Sequence, residues 1–418
     1  LLVDEVLEFF FNKKPVSRIW LASVDPDSVK KALACIQPNA GFKPLKDSAE
    51  ARQRVDWLIG MNVTRAMTLS FQRQGGSGVM SVGRVQSPTL ALIVERERKI
   101  RQFKPVDYFV PTAHLSVNGI DFQATYSPTN NNGLGEDLDG YFTDRGLAEK
   151  IVYEAKQGLT VTKYEDSKST SKQPLPFSLS DLQSACNSKL GMNAKEVSEV
   201  AQNLYEKGLT TYPRTECGYL PEEQFGSAKS VLNSLANMGF SFAQKADPSI
   251  KSPAWNTSKV DAHHGIVPTG QVVEMSETEK SVFELIANQF IAQFFPASIT
   301  LKQVAFFKTN QSGYIFKSTG SKTLDLGWRE VLGGEKDSEI AKVQTGFTVK
   351  PEKVENVSKK TSPPKRFDDG SLIKALEKIH TIVDEPHLKA LLKENSGIGT
   401  TATRADIIET LKMRGYVA

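Results

Sequence analysis

A tyrosine and an arginine separated by one proline, Tyr212-Pro213-Arg214, are the residues best suited to chemistry. Because proline disfavours helical backbone at the residue before it, Tyr212 is predicted to be extended, and alternate side chains then share a face. The sequence thus predicts two groups on opposite faces: Tyr212, Arg214 and Glu216 on one, and Thr211 and Thr215 on the other. A phenol oxygen can attack a phosphodiester, and a guanidinium can bind the phosphoryl oxygens where negative charge gathers. The alternative is an ordinary strand with an outward tyrosine and arginine.

The elements that must position this triplet are predicted from the spacing of apolar residues and from the residues that begin and end helices. Two helices precede it, one capped by Ser180 and running to Lys189, the other over 194–207 and ended by Gly208. A strand over 210–215 is predicted to follow, which completes the order of a winged helix. Alternating segments flank this unit, with a hairpin turn at Asn118-Gly119 before it and strands over 298–316 after it. We therefore predict a β domain interrupted by an inserted helical domain that carries the tyrosine.

Four further motifs accompany the tyrosine segment Gly208–Pro221. They are Ser81–Pro88 (SVGRVQSP), Leu175–Gln183 (LPFSLSDLQ), Lys259–Thr269 (KVDAHHGIVPT) and Gly397–Arg404 (GIGTTATR). Together with the Tyr-Pro-Arg-Thr-Glu-Cys run, they resemble the motifs of type IA DNA topoisomerases of the topoisomerase III branch. All five follow the order of that family and together span most of the chain.

The resemblance implies an activity and its catalytic residues. In the family, DNA is cleaved as a single strand without ATP through a 5′-phosphotyrosine link, here at Tyr212, and strand passage and religation then relax negative supercoils and decatenate DNA. Arg214 and His263 are implied to hold the phosphoryl oxygens, whereas the adjacent His264 is predicted to be structural. The implied partners are single-stranded DNA and negatively supercoiled or catenated DNA, and a helicase is a further candidate partner. We expect a monomer.

Other functions are weighed against this one. A non-catalytic clamp on single-stranded DNA, derived from the same fold, is the main alternative. A tyrosine recombinase or relaxase is disfavoured because the tyrosine lacks the surrounding arginines and histidines of those enzymes. A metal pair at His263 and His264 is disfavoured because adjacent side chains point apart and no third ligand is evident.

The resemblance also implies residues that contact DNA. Arg52 and Asp56, on a helix predicted over 48–69, lie at i and i+4 and are predicted to pair. Ser87 is predicted to cap a helix that begins at Pro88 and presents a phosphate site at its start. The implied DNA-contacting residues are Arg52, Arg54, Asp56, Asn62, Ser81, Val82, Gly83, Arg84, Val85, Gln86, Ser87, Ser178, Ser180, Glu216, Thr400 and Arg404. A solvated helix face, a plain capped helix and a glycine-rich hinge are the alternatives for these segments.

The predicted fold is multidomain, α/β and α+β, and follows the type IA toroid. It comprises a β-rich arch, a winged-helix-like inserted domain carrying the tyrosine, and a helical DNA-binding domain. The predicted boundaries are 1–39 for the C-terminal remnant of a Toprim domain, 40–104 and 361–418 for the helical domain, 105–170 and 276–360 for the arch, and 171–275 for the insert.

Composition limits the class and the compartment. The chain has 418 residues, 39% hydrophobic and 24% charged, with a net charge of +4, which permits nucleic-acid binding without demanding it. There is no apolar run of about 18 residues and no visible signal peptide. The three cysteines form no Cys-x-x-Cys pair. We therefore predict a protein of the reducing bacterial cytoplasm, associated with the nucleoid.

The cofactor Mg²⁺ is implied by the resemblance alone. In the family an Asp-x-Asp cluster, with a Glu and a Lys upstream, binds it in a segment that would precede Leu1. Asp4 and Glu5 are poor substitutes because they fall on different helix faces, so no metal ligand is predicted in this chain. No Walker A motif occurs, and no ATP site is predicted. Because the sequence begins at Leu1 and stops at Ala418 within a helical pattern, we expect a fragment that lacks part of the Toprim domain and the C-terminus.

Overall fold

The computed structural model describes residues 2–19, 26–137, 139–260, 263–334, 336–394 and 397–417, so the motif residues Asp261 and Ala262 lie outside the described part. The chain begins with a small α/β unit whose two strands pair antiparallel. Its elements are α1 (Leu2–Phe9), β1 (Ser17–Arg18), α2 (Pro26–Ala34) and β2 (Gln37–Pro38). Asp4 is buried and forms an ion pair with Arg18. That carboxylate therefore has a structural contact in this unit.

Two long helices follow, α3 (Lys43–Arg73) and α4 (Gln86–Gln102). α3 has 31 residues, none of them buried, and it confirms the helix predicted over 48–69 while extending beyond both ends. α4 begins earlier than predicted, with Val85 as its N-cap, so the prediction that Ser87 caps this helix is wrong. Ser87 lies in the first turn, where its hydroxyl accepts a hydrogen bond from the Gly83 amide at 3.2 Å. That bond folds the preceding loop back onto the helix.

Seven antiparallel strands form the largest sheet, and α5 (Arg145–Ala155) packs on it. The strands are β3 (Asp107–Val117), β4 (Ile120–Tyr126), β5 (Leu159–Ser171), β6 (Ser298–Thr309), β7 (Ile315–Asp325), β8 (Thr348–Val349) and β9 (Lys353–Lys360). Their order across the sheet is β8-β5-β6-β7-β4-β3-β9. The predicted hairpin is confirmed, since Asn118 and Gly119 both have positive φ, 55° and 77°, between paired strands. The core beneath α5 includes Leu115, Ile151, Phe307 and Phe316.

A helical body interrupts this sheet. β5 and β6 are neighbours in the sheet, although residues 172–297 lie between them in the chain. The helices of this body are α6 (Leu179–Leu190), α7 (Ala194–Glu206), α8 (Ala228–Asn237), α9 (Ser241–Lys245) and α10 (Glu277–Ile291). They share a core that includes Leu182, Leu204, Phe283 and Phe294. The predicted insertion of a helical unit into a β domain is confirmed, while the predicted domain boundaries remain predictions.

The two helices before the tyrosine are confirmed, but their flanks differ from the prediction. Ser178, and not Ser180, caps α6 and accepts a hydrogen bond from the Asp181 amide. α7 ends at Glu206, and Gly208 follows its C-cap with a φ of 73°, which suits glycine. The strand predicted over 210–215 is wrong: only Thr210 pairs, in an isolated bridge with Pro268. The segment turns instead, because the Thr215 amide donates to Pro213 O at 2.9 Å.

The four helices that follow β7 are α11 (Arg329–Leu332), α12 (Asp369–Glu377), α13 (Pro386–Glu394) and α14 (Thr401–Met413). Of these, α11, α12 and α14 pack against the inserted body, and α13 packs on the short turn Ile379–Thr381. We call the contact of α6 and α7 with α12 and α14 the helical seam. Its apolar part is a buried cluster of Ala194, Leu372, Ile373, Ala405 and Ile408. Among the described residues, no helix combines the length and the apolar character needed to cross a membrane.

Candidate active site

The loop that carries Tyr212 is fixed by hydrogen bonds to the loop that carries His263. The Thr211 amide donates to Val267 O at 2.9 Å, and its hydroxyl donates to Gly265 O at 3.0 Å. Further along, the buried Thr215 hydroxyl donates to His263 O at 3.3 Å. These bonds explain why the segment forms no strand, since its backbone and threonines are satisfied by an irregular neighbouring loop. The result is one rigid unit that contains the tyrosine and the histidine.

Tyr212 and His263, two residues of the predicted catalytic set, lie together in this unit. The ring centroids of Tyr212 and His263 are 4.6 Å apart, and the Tyr212 ring is half-buried. On its other side, Tyr205 of α7 packs edge-on at 5.3 Å. The sequence analysis did not identify Tyr205 as a neighbour of the site. Its apolar position on α7, immediately before the loop, is the signal that could have indicated it.

Two glycines permit the loops to pack this closely. A Cβ atom at Gly218 would lie 2.7 Å from Pro176 O, and one at Gly265 would lie 3.0 Å from the Pro176 Cβ. Neither space admits a methyl group without displacement of backbone. The glycines in the motifs around Tyr212 and His263 therefore serve close packing against the loop that precedes α6.

His264 has the structural role that the sequence analysis predicted. It is buried, and its Nδ1 lies 2.9 Å from Gly265 O while its Nε2 lies 3.2 Å from Nε2 of Gln224. A carbonyl only accepts, so the contact with Gly265 O is a hydrogen bond donated by Nδ1. The side chain thereby joins its own loop to the segment that precedes α8.

Arg214 faces solvent one residue beyond Pro213. Its side chain is exposed, and within the described part of the chain no hydrogen bond or ion pair to it occurs. The guanidinium therefore presents its five donors outward, on the loop that holds Tyr212. Glu216, two residues further, is also exposed, but its carboxylate lies 3.7 Å from Nη1 of Arg404. Of the predicted face, Tyr212 has ring contacts and Glu216 has an ion pair, whereas Arg214 makes neither with the described residues.

Three of the residues predicted to contact DNA are buried at the helical seam. Arg404 is 1% exposed, and its guanidinium donates to Ile398 O at 3.0 Å, to Gly399 O at 3.2 Å and to Glu377 Oε1 at 3.4 Å. Ser178 and Ser180 are also buried, and Ser180 donates to Glu377. Their contact with DNA therefore remains a prediction, and in this structure these side chains face the protein interior. They form contacts inside the protein.

Most of the other predicted DNA-contacting residues lie on α3, on the loop before α4 or in the first turn of α4, whereas Glu216 follows Tyr212 and Thr400 precedes α14. Arg84 forms a bidentate ion pair with Asp56, with nitrogen–oxygen distances of 2.6 and 3.0 Å. The predicted pair of Arg52 with Asp56 is therefore wrong, and the Arg52 side chain is exposed. The two other predicted residues of α3 have contacts within the helix: Arg54 pairs with Glu50 at 3.3 Å, and Asn62 donates to Leu58 O at 2.7 Å.

The loop at 81–87 also receives a cation that the sequence analysis missed. Arg414, just beyond α14, donates to Gln86 Oε1 at 3.3 Å and to the Ser81 hydroxyl. Both acceptors are uncharged, so the Arg414 charge is not neutralised by these contacts. Val82 exchanges bonds with Thr64 of α3, which fastens the loop to that helix.

The glycine-rich motif at 397–404 closes onto the same region. A Cβ atom at Gly399 would lie 3.0 Å from Val85 Cγ1, which shows that this motif and the 81–87 loop are in contact. Thr400 is the N-cap of α14, and its amide donates to the Thr403 hydroxyl at 3.0 Å. Gly397 packs against the C-terminal carbonyls of α12. The motif at 397–404 thus contacts both the 81–87 loop and α12.

Comparison with known proteins identifies the family. The model of the DNA topoisomerase family matches residues 42–418. The fold matches full-length topoisomerase I from Thermotoga maritima with a TM-score of 0.70 at 24% identity, over 96% of this chain and 62% of that one. The chain belongs to the DNA topoisomerase family, in its type IA class. The prediction from the five motifs is therefore confirmed.

The branch predicted from the tyrosine segment is also supported by relatives. The chain is 38% identical over 438 residues to DNA topoisomerase 3 of Vibrio cholerae, covering 100% of this chain and 67% of that protein. It is likewise 38% identical over 445 residues to DNA topoisomerase 3 of Haemophilus influenzae, covering 100% and 68%. The chain thus spans about two thirds of the length of these relatives.

Proposed function

We propose that Tyr212 is the nucleophile of a type IA cleavage reaction on single-stranded segments of negatively supercoiled or catenated DNA. Its phenol oxygen attacks the phosphorus and loses its proton, the bond from phosphorus to the 3′-oxygen breaks, and that oxygen gains a proton and leaves as a 3′-hydroxyl. The 5′-phosphate remains on the tyrosine. Because one phosphate ester replaces another, the 3′-hydroxyl can reverse the step after a strand has passed, without ATP.

One observation carries this assignment: Tyr212 and His263 are in ring contact on a unit that also presents the exposed Arg214. The guanidinium donates to the non-bridging phosphoryl oxygens, where charge develops, and Arg suits their geometry. His263 donates a further hydrogen bond to the same phosphate. The exposed Arg52 and the Arg414 charge at the 81–87 loop support backbone binding beside this site.

Mg²⁺ belongs to the chemistry of the family, but the described residues offer no site for it. Among them, no three His, Cys, Asp or Glu side chains are grouped so that they could hold a metal ion. Asp4, the buried acidic residue near the start, is paired with Arg18. The steps assigned to this chain's own residues are therefore binding and orientation of the phosphate and attack by the phenol.

The test is covalent capture of DNA by the complete protein in the presence of Mg²⁺. An oligonucleotide labelled at its 3′ end is incubated with protein and the mixture is denatured. Because the proposed link is to the 5′-phosphate, a 3′-end label stays with the protein and a 5′-end label is released. Tyr212→Phe should bind the oligonucleotide as tightly as the parent and capture no label.

The matched control is Tyr153→Phe, which removes the same oxygen from an exposed tyrosine on α5 and should capture as much label as the parent. Capture by Tyr212→Phe would exclude Tyr212 as the nucleophile. Binding without capture by the parent would favour the non-catalytic clamp.

A further inference from the structure

An ion network around the buried Arg404 contacts the loop that carries Tyr212 (residues 208–221, the tyrosine loop), and none of the steps above uses its central, partly buried carboxylate, Glu377. We propose that Glu377 is a positioning residue for cleavage, which fixes two adjacent residues of the tyrosine loop, Thr215 and Glu216, through separate contacts. The inference rests on the proposed cleavage by Tyr212.

The first connection runs through Arg404. Glu377 Oε1 accepts from Nη1 of Arg404 at 3.4 Å, and the same Nη1 lies 3.7 Å from the Glu216 carboxylate. Two backbone carbonyls, Ile398 O and Gly399 O, hold the other nitrogens of the guanidinium. Arg404 thus has a fixed orientation, and the position of its Nη1 constrains Glu216. Glu216 lies two residues beyond Arg214, so this contact constrains the backbone that presents the catalytic guanidinium.

The second connection runs through the start of α6. The Ser180 hydroxyl donates to the same Glu377 Oε1, and the neighbouring Leu179 amide donates to Thr215 O at 3.0 Å. Lys374 strengthens this contact, since its ammonium lies 3.3 Å from Glu377 and 2.5 Å from Asp181 of α6. Burial opposes the charge of Lys374, but its contacts with Asp181 and Glu377 outweigh that effect and raise its pKa. The Glu377 carboxylate is therefore linked to Thr215 through the start of α6 and to Glu216 through Arg404.

Stability alone is a poor explanation for this network. Burial lowers the pKa of Arg404, and Glu377 and Glu216 oppose that shift, so the charge is retained against a desolvation cost. Apolar side chains of similar volume often replace buried ion pairs with no loss of stability. Directional contacts, unlike apolar packing, specify one arrangement of the groups they join. At this location the arrangement they specify is that of the tyrosine loop relative to α12 and α14.

The expected consequence is a loss of cleavage rate without a loss of binding. Glu377→Gln removes the charge that holds Arg404 between two carboxylates, and the guanidinium then shifts toward Glu216 and moves the loop. A displacement of about 1 Å at reacting groups can cost on the order of 100-fold in rate. We expect single-turnover cleavage to fall about 10- to 100-fold, while the Kd for the oligonucleotide stays within about twofold. Glu377→Asp keeps the charge and should recover part of the rate.

The experiment measures single-turnover capture of 3′-labelled oligonucleotide, oligonucleotide Kd and Tm for the complete protein and its variants. The matched control is Glu409→Gln, which removes a carboxylate of α14 that pairs with Lys412 at 3.0 Å and makes no recorded contact with Arg404. It should cleave at the parent rate. If Glu377→Gln fails to fold, Glu377→Asp supplies the rate comparison. Glu216→Gln and the double variant complete a mutant cycle, in which the loss of rate in the double variant should be smaller than the sum of the two single losses, because one of the two routes from Glu377 runs through Glu216.

Three results would overturn the proposal. The first is cleavage by Glu377→Gln at the parent rate. The second is a loss of rate accompanied by comparable losses of DNA affinity and of thermal stability. The third is a double variant whose loss of rate equals the sum of the losses of Glu377→Gln and Glu216→Gln. These results leave the nucleophile assignment intact, because the parent still captures DNA. A parent that captures no DNA would instead refute the proposed function, and this inference with it.

Discussion

Arg214 is the catalytic candidate with the fewest restraints from the protein, and its substitution therefore reports on the substrate. Arg214→Ala should slow covalent capture by about 100-fold, since one donor to a charge that develops in the transition state contributes about 3 kcal/mol. Arg214→Lys keeps the charge but loses the planar fork and should recover only part of the rate. Capture kinetics at saturating oligonucleotide measure the effect.

Arg145→Ala is the matched control, because among the described residues the only ion pair of this exposed arginine of α5 is with Glu149 on its own helix. It should behave as the parent does. An unchanged rate for Arg214→Ala would remove Arg214 from the phosphate site.

Single residues differ in how well their roles follow from sequence. The proximity of Tyr212 and His263 follows from two motifs whose order and residues match a family. The burial of Arg404 does not follow from any pattern near it, because its partners Glu216 and Glu377 lie far away in the chain. An arginine one turn into a helix has the same local sequence whether it faces a phosphate or a buried carboxylate.

At the scale of loops and helices, Gly265 tests the packing that holds the site. Gly265→Ala would place a methyl group 3.0 Å from the Pro176 Cβ and 3.1 Å from Gly218 O. Because the displaced neighbours include backbone, we expect a loss of about 1–3 kcal/mol in the free energy of unfolding. Capture should slow as well, since the loops of Tyr212 and His263 must separate.

Chemical denaturation checks the stability change, and Gly226→Ala is its control. Gly226 lies in the same body and has no atom within 4 Å of an added Cβ. Equal stability of the two variants would show that the loops containing Pro176, Gly218 and Gly265 accommodate a methyl group in spite of these short distances.

The start of α10 predicts a pH dependence of stability. Lys207 donates to Glu279 at 2.7 Å, and with the Ser276 amide it lowers the pKa of this carboxyl below 4.5. A carboxyl with a lowered folded-state pKa stabilises the fold fully above its unfolded value, and the contribution is lost as the pH falls through the folded-state pKa. Glu279→Gln should therefore be less stable than the parent at pH 7, and the difference should shrink below pH 4.5.

Denaturation midpoints across this pH range measure the effect. Glu284→Gln, which makes the same substitution at an exposed position of the same helix, is the control. A constant difference between parent and Glu279→Gln from pH 7 to pH 3 would contradict the assignment of the ion pair.

Helix interiors are more predictable than helix ends in this chain. The apolar stripe of α7 and the turn glycine Gly208 locate that helix, whereas the N-caps of α4 and α6 each differ from the prediction by two residues. Ser178 and Ser180 are both good caps by type, and tertiary contacts decide between them, because Ser180 is engaged by Glu377. The strand predicted over 210–215 fails for the same reason, since its hydrogen bonds go to a distant loop.

For the whole molecule, the sequence predicts which parts exist better than how they meet. The net charge of +4 and the motif order are consistent with a DNA-binding enzyme, and the insertion follows from β segments on both sides of a helical one. The contact between the 81–87 loop, the 397–404 motif and the tyrosine loop depends on packing at the helical seam. Only the three-dimensional arrangement shows that Asp56 neutralises Arg84 while Arg414 brings a charge to the same loop.

The placement of the helical body between β5 and β6 also sets an order of events during synthesis. β5 leaves the ribosome long before β6, its sheet neighbour, because residues 172–297 come between them. Until then β5 has an unpaired edge toward β6, the kind of edge on which wrong strands pair. A helical body rich in local contacts folds quickly, and its folding brings the ends of the intervening segment together and reduces the entropy cost of pairing β5 with β6. Folding of the helical body that holds Tyr212 would thus promote the pairing of β5 with β6 in the sheet into which it is inserted.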